Sequence, residues 1–204
     1  MFQQALSIAS WEYFFLLLEH RGTTALQVSN VMRNVFGIFG FMAWSFAGAT
    51  NSLVSNIIGQ GKLDWFWPLI KRLVALSFGI TFSLLAILNL FPILFLSIFG
   101  QDSNFYDMAL PTLRVVSVAL VLMSVSTILM NAVVATGHSK FSFICEVGSL
   151  FVYLGFVYWA LESFKGSVAF SWVSEWLYWL CLGFPSLVFL ILWQRKREKN
   201  LVKR

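Results

Sequence analysis

The chain has 204 residues, of which 59% are hydrophobic and 11% charged, with a formal net charge of +5. A water-facing domain carries about a quarter charged residues, so this composition excludes a soluble globular domain and a soluble enzyme. The 22 Phe and 9 Trp suit lipid-facing helices with aromatic interfacial anchors, and long apolar runs without strict alternation exclude a β-barrel. The expected fold class is all-α: a polytopic membrane protein with about six crossings, at roughly 20 apolar residues per crossing.

In chain order, the first span is expected over 1–18, carrying Glu12 and closed by the polar turn Glu19-His20-Arg21-Gly22. The second, over 31–58, is rich in small residues and stops at Gly59-Gln60-Gly61-Lys62. The third, over 69–99, contains Asn89 and Pro92, and the loop Gly100-Gln101-Asp102-Ser103-Asn104 follows it. The fourth runs over 109–135 to Thr136-Gly137-His138-Ser139-Lys140, the fifth over 141–161 and the sixth over 168–193. A basic tail occupies 194–204. Pro92 and Pro185 are expected kink points, because each removes an intrahelical hydrogen bond.

Lys62, Lys71, Arg72, Lys140 and the tail place positive charge at the even-numbered ends, whereas the loop after the third span holds Asp102 and Asp107. This asymmetry predicts a multi-pass protein of the cytoplasmic (inner) membrane with both termini in the cytoplasm. Arg33 and Arg114 are exceptions to it. The tail reads as an anchor on anionic lipid rather than a nucleic-acid patch. There is no basic region before the first apolar stretch to mark a signal peptide.

An ionisable group within a span is costly and generally faces a cavity or a partner. Glu12, beside Trp11 and near the middle of the first span, is the main candidate: a carboxylate held there suits proton or cation exchange. The alternative is a structural Glu bonded to a neighbouring helix. Glu146 shares a helical face with Ser149 and Tyr153, but pairing with Lys140 or a headgroup is the favoured reading for it. Glu162 and Glu175 look closer to the outer boundary, with a solvated or cavity-edge role. Trp11, Asn30, Asn34, Asn51 and Asn131 are candidates to line a polar cavity. Asn51 falls in the small polar stretch 49–56, which suits close helix packing. Cys145 and Cys181 read as packing thiols, and His20 and His138 lie too far apart in sequence for a metal site. No phosphate loop, nucleophile elbow or clustered acid, base and nucleophile stands out, and no cofactor is expected.

Three segments carry a family resemblance. Ala49-Thr50-Asn51-Ser52-Leu53-Val54-Ser55-Asn56-Ile57-Ile58-Gly59-Gln60-Gly61-Lys62 resembles the small-residue helix and Gly-Gln turn of multidrug and toxic compound extrusion (MATE) transporters. Trp11-Glu12-Tyr13-Phe14-Phe15, with Glu19 to Leu26 and Ser29-Asn30, is similar to that family's seventh helix and the loop into the eighth. Asn131 to Lys140 is similar to the end of its tenth helix. The pieces occur in family order over nearly the whole chain.

The resemblance implies the C-terminal six-helix lobe of a twelve-helix antiporter that expels organic, often cationic, compounds against a proton or sodium gradient. Its partner is then the facing N-terminal six-helix lobe, with Met1 an internal methionine of a longer frame, and the chain is expected to be inactive alone. Glu12 matches the acidic position of the family's seventh helix. The stretch 109–135 lacks the acidic residue many members carry on the tenth helix, which leaves Glu12 as the coupling candidate. Two further readings are a flippase for lipids or lipid-linked oligosaccharides of the same superfamily, and a structural or regulatory membrane subunit without transport of its own.

Overall fold

The computed structural model describes residues 2–99 and 103–202, with side chains for 5–99 and 104–197. Met1, Gly100, Gln101, Asp102, Lys203 and Arg204 lie outside the described residues, as does the side chain of Lys199. The described residues form helices and turns, with no strand among them.

Helix α1 (Phe2–Glu19) turns through Arg21 and Gly22 into α2 (Thr23–Gly59), a helix of 37 residues. Helix α2 starts well ahead of the expected position 31. An apolar-run reading stops at Asn30, Arg33 and Asn34, but a helix carries such residues without interruption. It ends as its terminal Gly-Gln turn predicts. Gly61 adopts φ 73°, and the Gly61 and Lys62 N–H groups bond back to the Ile58 and Ile57 carbonyls. This left-handed glycine cap satisfies carbonyls that the helix end would otherwise orphan.

After a short 3-10 turn, Leu63–Trp65, comes α3 (Phe66–Leu90). The helix breaks at Phe91, and Pro92 opens α4 (Pro92–Leu96), where its missing N–H has no helical acceptor to lose. Pro92 therefore divides the third expected span rather than bending it. Next come α5 (Ser103–Ala135) and α6 (Ser139–Tyr158), the latter prolonged by a π-helical turn, Trp159–Ser163. A four-residue α7 (Val168–Ser171) leads into α8 (Ser174–Val202), which runs past Pro185 and on into the basic segment. Four stretches are long and apolar enough to cross a membrane: Leu63–Leu90, Asn104–Ala135, Ser139–Ser163 and Val168–Arg197. In α2, interspersed Gly, Ser, Thr and Asn dilute the apolar character of an otherwise long helix.

Helix α5 is the central pillar, packed on α2, α3, α6, α7 and α8. One core cluster surrounds Trp172, whose ring meets Phe14 edge-on at 5.2 Å and whose indole N–H donates to Ser29 Oγ at 3.2 Å. A second gathers Val54, Phe66, Ile70, Val133 and Leu190. In lipid, apolar burial does not by itself pull helices together, so close packing and cross-helix hydrogen bonds must do so. Such bonds are present. Asn89 Nδ2 donates to Ser117 Oγ at 2.8 Å, Ser77 Oγ to the Ser124 carbonyl at 3.2 Å, and Trp176 Nε1 to the Val115 carbonyl at 2.8 Å.

Helices α5 and α8 touch closely at Gly183: a Cβ there would collide with Ser126 Oγ and lie 3.3 Å from Ser126 Cα. Arg21 donates to the carbonyls of Leu161 and Gly166, tying the α1–α2 turn to the segment after α6. The outer faces expose Phe41, Leu90, Leu94, Ile98, Phe151 and Phe184. So many exposed large apolar side chains suit hydrocarbon rather than water.

Candidate functional site: a carboxylate-bearing aromatic cavity

Helices α1, α2, α5, α6 and α8 line an open-sided cavity of about 620 Å³, within the range of sites for small organic molecules. Its walls follow helical spacing. Helix α8 contributes Glu175, Tyr178, Trp179 and Leu182 at i, i+3, i+4 and i+7, and α6 contributes Glu146, Leu150 and Tyr153 at i, i+4 and i+7. Helix α1 adds Ser7, Ser10 and Trp11, helix α2 adds Arg33, Phe36 and Trp44, and α5 adds Thr127, Met130 and Asn131. The result is an aromatic-walled cleft holding two carboxylates and one guanidinium.

The two wall carboxylates have different surroundings. Glu146 is buried and accepts a hydrogen bond from Ser7 Oγ of α1 at 2.7 Å, instead of pairing with Lys140, which is exposed. Glu175 lines the cavity wall. It is 5% exposed, and Ser171 and Trp172, just ahead of it in the chain, are buried as well. The first amides of α8 are already used: Glu175 N–H donates to the Trp172 carbonyl, and those of Trp176 and Leu177 to the Val173 carbonyl. Trp11, Tyr153 and Trp179 border the Glu175 carboxylate. The Tyr153 hydroxyl and Trp179 indole N–H are buried beside it. Tyr178 stands between Tyr153, 6.1 Å away ring to ring, and Trp179 at 4.9 Å.

Glu12 sits outside the cavity wall, with its carboxylate 2.9 Å from Arg33 Nη2; their side chains are 53% and 42% exposed. The Arg33 guanidinium also lies over Trp11 and Phe15, at 5.4 and 5.1 Å from the ring centres. Arg33 thus belongs both to the Glu12 pair and to the cavity wall, a role that loop-charge counting concealed. Asn131 lines the cavity, its Nδ2 donating to the Thr127 carbonyl at 2.9 Å. Asn30 and Asn34 are exposed and form no part of the wall. Asn51 accepts only a long contact from Ser55 Oγ, 3.5 Å, within its own helix. Glu162 is exposed, 3.9 Å from His20 Nδ1. Among the described residues, no group of three His, Cys, Asp or Glu could hold a metal ion.

Helical, lipid-suited and with an open-sided cavity between its helices, the chain matches the MatE family model over residues 1–159. The chain belongs to the MatE family. It is accordingly a membrane transporter of the efflux kind, in a family of transporters rather than enzymes. Neither a search of curated proteins nor one of solved structures found a match. The match covers α1 to α6 and ends at Trp159, so α7 and α8, with Glu175, Tyr178 and Trp179, follow the matched region. Of the sequence candidates in this MatE chain, Trp11, Asn131, Glu146, Tyr153 and Glu175 come together in one cavity. Ser7, Phe36, Trp44, Tyr178 and Trp179 are wall residues the sequence reading missed. Stepping three, four and seven residues from Glu175 along one helical face finds Tyr178, Trp179 and Leu182.

Proposed function

We propose that this chain forms the C-terminal six-helix lobe of a cation-coupled antiporter for organic compounds, including cationic ones. The lobe lies in the inner membrane with both termini in the cytoplasm and works opposite a second six-helix lobe. Glu12 is the coupling residue, taking a proton or a sodium ion, and it acts through Arg33. The observation that carries this reading is the position of Arg33, which bonds Glu12 on one side and lines the cavity on the other.

While Glu12 is ionised, it neutralises the guanidinium. When Glu12 takes up a proton or sodium ion, that neutralisation is lost and Arg33 presents net positive charge to the cavity. Bound organic cation is then disfavoured, so ion entry and cargo release are linked by electrostatics, as antiport requires. The facing lobe completes the pathway by rocking against this one. Two carboxylates against one guanidinium favour cationic cargo over the phosphate of a lipid-linked sugar.

Tetraphenylphosphonium is the test ligand. It is expected to bind the chain in lipid nanodiscs, while gradient-driven efflux from vesicles is expected only when a facing lobe is supplied. Absence of binding overturns the cavity reading, and efflux by the chain alone overturns the half-transporter reading.

A further inference from the structure

We propose that the basic ends of α3 and α8 together form a binding site for the phosphate headgroup of an anionic phospholipid, built on the aromatic contact between Phe66 and Trp193. The site stands apart from the antiport reading and does not depend on what the cavity carries.

Three observations lead to it, of which the first is depth. The stretches 73–90 of α3 and 176–193 of α8 hold no charged side chain. At 1.5 Å per residue each is about 27 Å long, close to the roughly 30 Å of a bilayer's hydrocarbon core. Lys71 and Arg72 leave one stretch, and Arg195, Lys196 and Arg197 the other, at the level of the lipid phosphates.

The second is convergence. Phe66 and Ile70 of α3 and Leu190 of α8 share one buried cluster, with Trp67 and Trp193 packed against it. The Phe66 ring lies 5.1 Å from that of Trp193 and 5.8 Å from that of Trp67, so the two basic ends are neighbours. The Arg197 guanidinium sits over Trp193, 5.0 Å from the ring centre, and Lys71 stands one helical turn from Trp67. Helix α8 continues through these residues, which holds its charges against α3 where a loose tail would trail in water.

The third is unmatched charge. Lys71, Arg72, Arg195, Lys196 and Arg197 are all exposed. Among the described residues the ion pairs are Arg33 with Glu12 and His20 with Glu162, so no carboxylate pairs with these five.

A phosphodiester fits such a place. A guanidinium offers paired N–H donors to two phosphate oxygens, and a lysine ammonium adds a mobile point charge. Arg72, Leu76 and Ile80 follow one another at steps of four on an exposed face of α3, so an apolar track for an acyl chain begins directly below the phosphate. That track favours a lipid over a free phosphate. Phosphatidylcholine balances its phosphate with its own choline, whereas an anionic lipid brings the net charge that the site lacks.

Native mass spectrometry on the full chain, equilibrated with phosphatidylglycerol and phosphatidylcholine of equal acyl length, counts the lipid retained. The wild type should retain phosphatidylglycerol in preference. R72Q and R197Q should each weaken that retention about fivefold, the effect of one basic residue at a lipid surface. R114Q, which removes an exposed cation from the far part of α5, should leave it unchanged. Phosphatidylglycerol should also raise the unfolding midpoint of the wild type more than those of R72Q and R197Q, with all three equal in phosphatidylcholine alone. Equal retention of the two lipids by the wild type overturns the proposal. A loss in R114Q as large as in R72Q and R197Q also overturns it, by showing a response to net charge alone. Midpoints already lowered in phosphatidylcholine assign Arg72 and Arg197 to packing and refute the headgroup role. Displacement of the lipid by an equal concentration of glycerol phosphate shows that the ligand is a soluble phosphate and refutes the lipid.

Discussion

Neutralising Glu12 in E12Q removes the partner 2.9 Å from Arg33 while keeping the side chain's size. A guanidinium no longer compensated, about 6 Å from a bound monovalent cation, opposes it by about 3 kcal/mol at an effective dielectric of about 20. Arg33 is 42% exposed, and screening at that exposure roughly halves the effect. The expected result is therefore ~10-fold weaker tetraphenylphosphonium binding in E12Q, since 1.4 kcal/mol is tenfold in Kd. The assay is equilibrium binding to the chain in nanodiscs for wild type, E12Q, R33Q and the double variant. Because the effect acts through Arg33, E12Q should do little in the R33Q background. An E12Q effect of equal size with and without Arg33 would refute the electrostatic link and leave Glu12 acting by some other route.

Other predictions concern the frame that shapes the cavity. G183A drives a methyl group into Ser126 at the α5–α8 contact and should cost about 1–3 kcal/mol, read as a lower unfolding midpoint in detergent; an unchanged midpoint means the two helices are not so closely apposed. N89A breaks the Asn89–Ser117 bond between α3 and α5, for about 0.6–2 kcal/mol by the same measurement. W172A empties the aromatic cluster of Phe14, Phe15 and Phe36 and should cost about 3–5 kcal/mol, enough to prevent recovery of folded protein. R21A frees two carbonyls of the segment after α6 and should raise hydrogen exchange locally over 159–167, with α3 and α5 unaffected.

The membrane class, the helical fold and the family were legible because hydrocarbon imposes a composition that few other solutions tolerate. Helix ends marked by Gly were legible too, Gly61 above all. The extent of α2 was not, since hydropathy treats Asn30, Arg33 and Asn34 as a boundary while the backbone runs through them. The cavity was half legible. Glu146, Tyr153 and Glu175 were singled out for being polar within apolar runs, yet their burial depends on which helices become neighbours, and no local pattern encodes that. Glu175 is expected at a solvated or cavity edge, and the structure sets it in the cavity wall beside Trp11, Tyr153 and Trp179, neighbours that no local pattern on α8 names. Arg33 was set aside as an anomaly of loop charge, although its partner lies one helix away on α1.

Photolabelling by an azido derivative of tetraphenylphosphonium, mapped by mass spectrometry on the chain in lipid, goes most directly to the claim that this cavity receives the cargo. Labels are expected within 7–11 of α1, 127–131 of α5 and 175–182 of α8, and unlabelled ligand should suppress them. Labels confined to the outward apolar faces, such as 87–98, and indifferent to competitor would contradict it.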